Sequence, residues 1–111
     1  MKLNEYQDLA GRTRMSPLYD DKERFVAALG LCGEAGEFGD LVKKIVGHGH
    51  EASPETQVKM LKELGDVLWY VADNASAWGF TLEFIAQTNI EKLKARYPQG
   101  FTTHASVHRQ E

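Results

Sequence analysis

An all-α fold is what this 111-residue sequence predicts, and three observations carry that expectation. No stretch alternates apolar and polar residues for long enough to make a strand. The only prolines, Pro17, Pro54 and Pro98, sit beside breaks in helical periodicity rather than inside helical segments. Residues that favour helix N-caps stand ahead of the apolar-periodic stretches. The length is that of one domain, residues 1–111, and a composition of 42% hydrophobic and 26% charged residues is ordinary for a globular chain.

Taken in order, the first helix is predicted from about Asn4 to Arg14, with Asn4 as N-cap and Gln7 three residues later. Met15 to Tyr19 reads as a loop. Asp20 and Glu23 form a stronger capping box for a long helix from Asp21 to about Val46, which Gly47-His48-Gly49-His50 ends. Ser53 followed by Pro54 opens a third helix reaching about Trp78, because proline at the first helical position lacks an amide that is unpaired there anyway. Gly79 suits the left-handed residue after that helix, Thr81 caps a fourth, and Pro98 stops it after Tyr97. The last dozen residues read as a tail. Four helices with short connections pack most simply as an antiparallel four-helix bundle. The second helix, however, is apolar nearly all round its N-terminal half, with Phe25, Val26, Ala28, Leu29, Leu31 and Cys32. One small bundle offers it too few neighbours, so a homo-oligomer is expected, a dimer or a dimer of dimers.

A formal charge of −3 leaves no surplus of Lys and Arg for a phosphate backbone, so nucleic acid is not an expected partner. Cys32 is the single cysteine, which excludes an intramolecular disulfide and any multi-cysteine zinc or iron–sulfur site, and it points to a reducing compartment. The N-terminus has no signal-peptide core and no run approaches the ~18 apolar residues of a membrane span. A cytoplasmic protein without a membrane partner is the expectation.

Chemistry is carried by two acidic pairs. Glu34 and Glu37 are three apart on the second helix, and Glu63 and Asp66 are three apart on the third. At roughly 100° per residue, Ala27, Leu31, Phe38, Leu41 and Ile45 fall within about 60° of Glu34, so this carboxylate stands in the middle of an apolar stripe. Glu63 is placed similarly, and Glu37 and Asp66 lie on the polar margins. Carboxylates gathered away from water repel one another, so they need raised pKa values or a cation. Lys59 can reach Glu63 at i+4 but cannot neutralise four acids. An all-oxygen set selects a hard ion, Mg²⁺ with Mn²⁺ as a possible substitute, over zinc. His48 and His50, in a glycine-rich turn, read as exposed loop residues rather than ligands. On the fourth helix Asn89, Lys92 and Arg96 share one stripe. Acids holding a hard metal, beside an amide and two cations, suit a nucleotide or polyphosphate.

Glu34-Ala-Gly-Glu37, then Glu63-Leu-Gly-Asp66, then Asn89-Ile-Glu-Lys92-Leu-Lys-Ala-Arg96-Tyr-Pro resemble the MazG-like branch of the all-α nucleoside triphosphate pyrophosphohydrolases. The likeness extends to Tyr6-Gln7, Gly11-Arg-Thr13 and Gly100-Phe101. It implies Mg²⁺-dependent hydrolysis of a nucleoside triphosphate between the α and β phosphorus, giving the monophosphate and pyrophosphate, in a nucleotide housecleaning role. Glu34, Glu37, Glu63 and Asp66 would hold the metal, and Asn89, Lys92 and Arg96 would sit near the phosphates. The family often begins its first motif with two adjacent glutamates, and here Gly33 holds the first of those positions. Among the carboxylates, Glu37 is the choice for general base, because water reaches it more readily than Glu34, which is committed to the metal. Trp69 and Tyr70 are put first among the aromatic residues able to stack on a base. A phosphoribosyl-ATP pyrophosphohydrolase-like activity and a non-enzymatic helical metal-binding module are the alternatives.

Overall fold

A computed structural model describes residues 1–109, and its element order is α1 (Leu3–Gly11), α2 (Asp21–His48), α3 (Pro54–Ala77), α4 (Leu82–Arg96) and α5 (Thr103–Val107). Among the described residues the only β pairing is an isolated bridge between Pro98 and Gly100. Local signals account for most boundaries. The carboxylate of Asp20 accepts the Glu23 amide at 2.9 Å, the Ser53 hydroxyl accepts the Thr56 amide at 3.2 Å, and the Thr81 hydroxyl accepts the Phe84 amide at 3.1 Å. Each pairs one of the amides that a helix start leaves without an intrahelical partner. Gly49 ends α2 in the left-handed conformation at φ 69°, and the His50 amide turns back to the Lys44 carbonyl at 3.0 Å. The tail is partly helical: Thr102 caps α5 by accepting the Ala105 amide at 3.0 Å, and residues 110–111 lie outside the described residues.

The first helix departs from its sequence expectation at both ends. Lys2, not Asn4, is its N-cap, and the Lys2 amide donates to the Glu5 carboxylate at 3.3 Å. Asn4 and Gln7 are spent on α4 instead. The Asn4 side-chain oxygen accepts the Glu83 amide at 3.1 Å and that of Gln7 accepts the Leu82 amide at 2.8 Å, while the Gln7 amide group donates to Ser76 Oγ and the Phe80 carbonyl, both at 2.9 Å. With Thr81 on Phe84, three amides of the first turn of α4 are thereby paired. At its other end α1 stops at Gly11 rather than Arg14. Arg14 is drawn inward to Asp73 of α3, Nε to Oδ1 at 2.6 Å, and both side chains are more than nine-tenths buried.

The long pair α2 and α3 runs side by side, tied where Asn74 Nδ2 donates to the Ala27 carbonyl and Arg24 Nε donates to the Ala77 carbonyl, both at 2.9 Å. Helix α1 lies on α3 and touches α4, which in turn meets α3. The expected four-helix bundle is not closed inside one chain, because the extensive partner of α2 among the described residues is α3 alone. The most deeply buried apolar residues are therefore small, Ala27, Ala72, Ala75 and Ala77, with Leu82. No large side chain among the described residues is fully enclosed. Phe25, Val26 and Leu29 of α2 and Leu61 of α3 stand half or more exposed. The radius of gyration is 17.1 Å, against about 13 Å for a compact domain of this length. Among the described residues no helix is long and apolar enough to cross a membrane.

Gly30 sets how closely α2 and α3 approach. A Cβ built there would stand 2.1 Å from the Tyr70 ring, so the ring occupies the space that any side chain would need. Gly30→Ala is expected to destabilise the fold by about 1–3 kcal/mol through overpacking, read as a lower urea midpoint. Gly39→Ala, where nothing lies within 4 Å of the added carbon, is expected to hold or raise that midpoint.

Candidate metal and phosphate site

Four residues past Gly30 along α2 stands Glu34, and four residues before Tyr70 along α3 stands Asp66, so the tight crossing is followed directly by the acids. One carboxylate oxygen each from Glu34, Glu37 and Glu63 lies within 4.8 Å of the other two. Glu34 and Glu63 are half-buried and Glu37 is exposed at the rim, as the stripe-and-margin pattern predicts. Asp66 is exposed and lies outside this trio, though close enough for its charge to bear on Glu34 and Glu63.

The electrostatics are those of an unneutralised acidic group. Glu34 holds its proton above the ordinary carboxylate range because it is desolvated, and then because Glu37, Asp66 and Glu63 repel its charge. Glu63 is raised for the same reasons, desolvation first, then Glu37 and Asp66, with a hydrogen bond to Glu37 adding to the effect. No Lys or Arg is among the groups that shift either one. Glu63 Oε2 is buried without a hydrogen-bond partner. A buried, unpaired carboxylate oxygen facing two further carboxylates is costly to leave without a cation, and an all-oxygen set fits a hard divalent ion.

The groove lined by Glu37 and Glu63, about 520 Å³, is walled by α2 and α3 alone and also includes Gly33, Gly36, Asp40, Lys44 and Lys59. Lys59 lines it, but among the described residues it forms no ion pair with Glu63, so the i+4 pairing allowed by sequence is not made. Lys44 is held instead by Asp40 at 2.9 Å, and hydrogen bonds from Lys44 and Lys43 keep the Asp40 carboxyl below its usual range. Asp40 and Lys44 were legible from their spacing, three and seven residues past Glu37 on the same helix. A Cβ at Gly33 would meet nothing within 4 Å, so no steric reason forbids a glutamate there.

Asn89 and Lys92 are not brought to the acids within one chain. They are exposed on α4, where they line a separate groove of about 420 Å³ with Phe80, Phe84 and Ile85. Arg96 lies half-buried at the end of that helix. Trp69 and Tyr70 meet edge to face, with ring centroids 4.9 Å apart, and Trp69 Nε1 donates to Thr13 Oγ1 at 2.8 Å. Tyr6, on α1, packs on the Ala72, Ala75 and Leu82 core, and its hydroxyl pKa is raised by burial and then by the charge of Asp66.

In the range where Glu34 and Glu63 titrate, the folded chain keeps protons that the unfolded chain has released. Stability of the metal-free protein is therefore expected to fall as pH rises from the ordinary carboxylate range through the raised folded-state values. Glu34→Gln removes one repelling charge, so it should raise the melting temperature of metal-free protein at pH 7 and reduce the upward shift that Mg²⁺ produces. A lower melting temperature without metal would count against the repulsion.

Comparison with known proteins adds two findings. The model of the "MazG nucleotide pyrophosphohydrolase domain" matches residues 26–101, a span that takes in both acidic pairs and the α4 stripe. The chain is also 34% identical over 105 residues to "Gene 37 protein" of Mycobacterium phage L5, covering 90% of this chain and 92% of that protein. No solved structure matches.

Proposed function

The chain belongs to the MazG nucleotide pyrophosphohydrolase domain family, and from that premise we propose that it hydrolyses a nucleoside triphosphate between the α and β phosphorus, releasing the monophosphate and pyrophosphate. The observation that carries this reading is the convergence of carboxylate oxygens of Glu34, Glu37 and Glu63 within 4.8 Å of one another, with Glu63 Oε2 buried and without a hydrogen-bond partner. These three, with Asp66, would hold Mg²⁺, or Mn²⁺ in its place. Such an ion, when bound, neutralises phosphate oxygens and lowers the pKa of water. Glu37, exposed at the rim, takes the proton from the water that attacks the α-phosphorus, while the half-buried Glu34 stays a ligand. Trp69 and Tyr70, which meet edge to face, would stack on the base. Cleaning noncanonical or surplus nucleotides from a cytoplasmic pool is the role this activity would serve.

The same reading calls for more than one copy of the chain. A folded monomer of 12.5 kDa exposes about 6,200 Å², whereas this chain exposes 8416 Å². The surplus, roughly 2,200 Å², is on the scale that each partner of an obligate homo-oligomer buries. Half-exposed Phe25 and Leu29 on α2, Phe80 just before α4 and Phe84 on it are the residues left to cover. In the assembly, Asn89 and Lys92 of one copy, with Arg96 at the end of the same helix, would stand near the acids of another and take up the phosphate charge that one chain leaves uncompensated.

Incubation of the protein with mixed dNTPs and Mg²⁺ should yield monophosphate and pyrophosphate. Glu34→Ala and Asp66→Ala should each lower turnover by about 100-fold or more while leaving the helical content intact. Lys92→Ala should raise KM more than it lowers kcat, because a phosphate clamp also binds the ground state. Diphosphate as product, or undiminished turnover in both acid variants, would defeat the assignment. Sedimentation equilibrium is expected to show a dimer or tetramer, and a stable monomer at micromolar concentration would contradict the assembly.

A further inference from the structure

The chain has four histidines in two pairs, and folding treats the pairs differently. His48 and His50, at the end of α2, stand with ring centroids 6.4 Å apart and planes at 57°. His104 and His108, four residues apart at α5, stack with centroids 4.2 Å apart and planes only 23° from parallel. Both stacked rings are exposed, and they lie past residue 101, where the match to the family model ends.

Helix α5 has five residues, far fewer than an isolated helix needs to persist in water. Its own hydrogen bonds nevertheless fix one of the two rings. The His104 carbonyl accepts the His108 amide at 2.9 Å and the His108 ring Nδ1, also at 2.9 Å. A carbonyl oxygen can only accept, so Nδ1 carries the proton, and in the neutral imidazole the lone pair is on Nε2. One ring nitrogen donating to a backbone carbonyl while the other keeps its lone pair is the arrangement that orients metal-ligating histidines. His104, one turn earlier on the same face, sets its ring beside this one.

Two such imidazoles suit an ion of a different kind from the one the acids would take. Imidazole nitrogen favours Zn²⁺, Cu²⁺ and Ni²⁺, whereas Mg²⁺ keeps to oxygen. Two nitrogens bound to one ion at about 2.0–2.1 Å stand roughly 3 Å apart. Rings already stacked reach that separation by tilting their outer edges together.

We propose that His104 and His108 bind one divalent ion of the nickel, copper and zinc group between them, with water in the remaining positions, and that the ion staples α5. It ties side chains on successive turns of a helix too short to persist by itself, so metal binding and ordering of the tail are one equilibrium. This site is independent of the chemistry at Glu34, Glu37 and Glu63.

Titration of the full chain with Zn²⁺, followed by calorimetry with excess Mg²⁺ competing for the acids, should show a binding phase that Mg²⁺ does not displace. His104→Ala should weaken that phase at least about tenfold, since even an orienting partner of a ligand contributes on that scale. Replacing both His48 and His50 with Ala should leave it unchanged. The His108 amide should exchange more slowly with solvent when Zn²⁺ is added to the wild type, and not in His104→Ala. Undiminished binding in His104→Ala, or an equal loss in the variant lacking His48 and His50, would overturn the site. Unchanged His108 exchange at saturating Zn²⁺ would overturn the staple.

Discussion

Tyr70 lies against the backbone of α2 where Gly30 leaves room for it, and the rest of the molecule depends on that contact. Helices whose facing positions carry full side chains stand 8–10 Å apart. Here an aromatic ring fills the gap on one side and a bare Cα faces it, while Asn74 and Arg24 reach across to carbonyls of the opposite helix. The crossing fixes the register of α2 against α3. One turn further on, that register delivers Glu34 and Glu37 to Glu63. A slip of either helix by one residue would rotate its carboxylates about 100° away from the others.

Such a convergence opposes folding. Desolvation and then the neighbouring carboxylates raise the proton affinity of Glu34 and Glu63, and Glu63 Oε2 is left buried without a partner, which a purely structural helix pair would avoid by placing apolar residues there. The energy to hold them comes from elsewhere in the chain. Arg14 and Asp73, both buried, fasten the α1–α2 loop to α3, and Tyr19 covers the pair. Asn4 and Gln7 anchor the start of α4. The acids thus sit on a frame secured at their N-terminal α2 side, with the groove itself left to solvent.

The open architecture belongs to the same economy. The best-buried apolar residues of the chain are mostly alanines, and the half-exposed aromatic and aliphatic residues on α2 and α4 are what the proposed association would enclose. Asn89 and Lys92 of α4 and the acids of α2 and α3 occupy different surfaces of one chain. In the proposed assembly, charge compensation and core completion would be linked, since both would draw on a second chain.

Much of this was legible in the residues before folding. Asp20, Ser53 and Thr81 start helices because their side chains can take amides three positions on, a matter of local geometry, and Gly49 and Gly79 end them because only glycine enters the left-handed region without strain. The half-buried setting of Glu34 followed from 3.6-residue periodicity. Where a side chain had a choice between near and distant partners, periodicity was silent. Asn4 reads as a cap yet serves α4, Lys59 reads as a partner for Glu63 yet makes no such pair, and Arg14 reads as helical yet turns in to Asp73. By itself the sequence determined helix content, boundaries and which face of each helix bears its acids, because those depend on neighbours within one or two turns. Tertiary structure alone decided that three of the acids meet and that α4 stands apart from them, because each of these depends on groups far apart in the chain, Glu34 and Glu63 on different helices among them, competing for the same space.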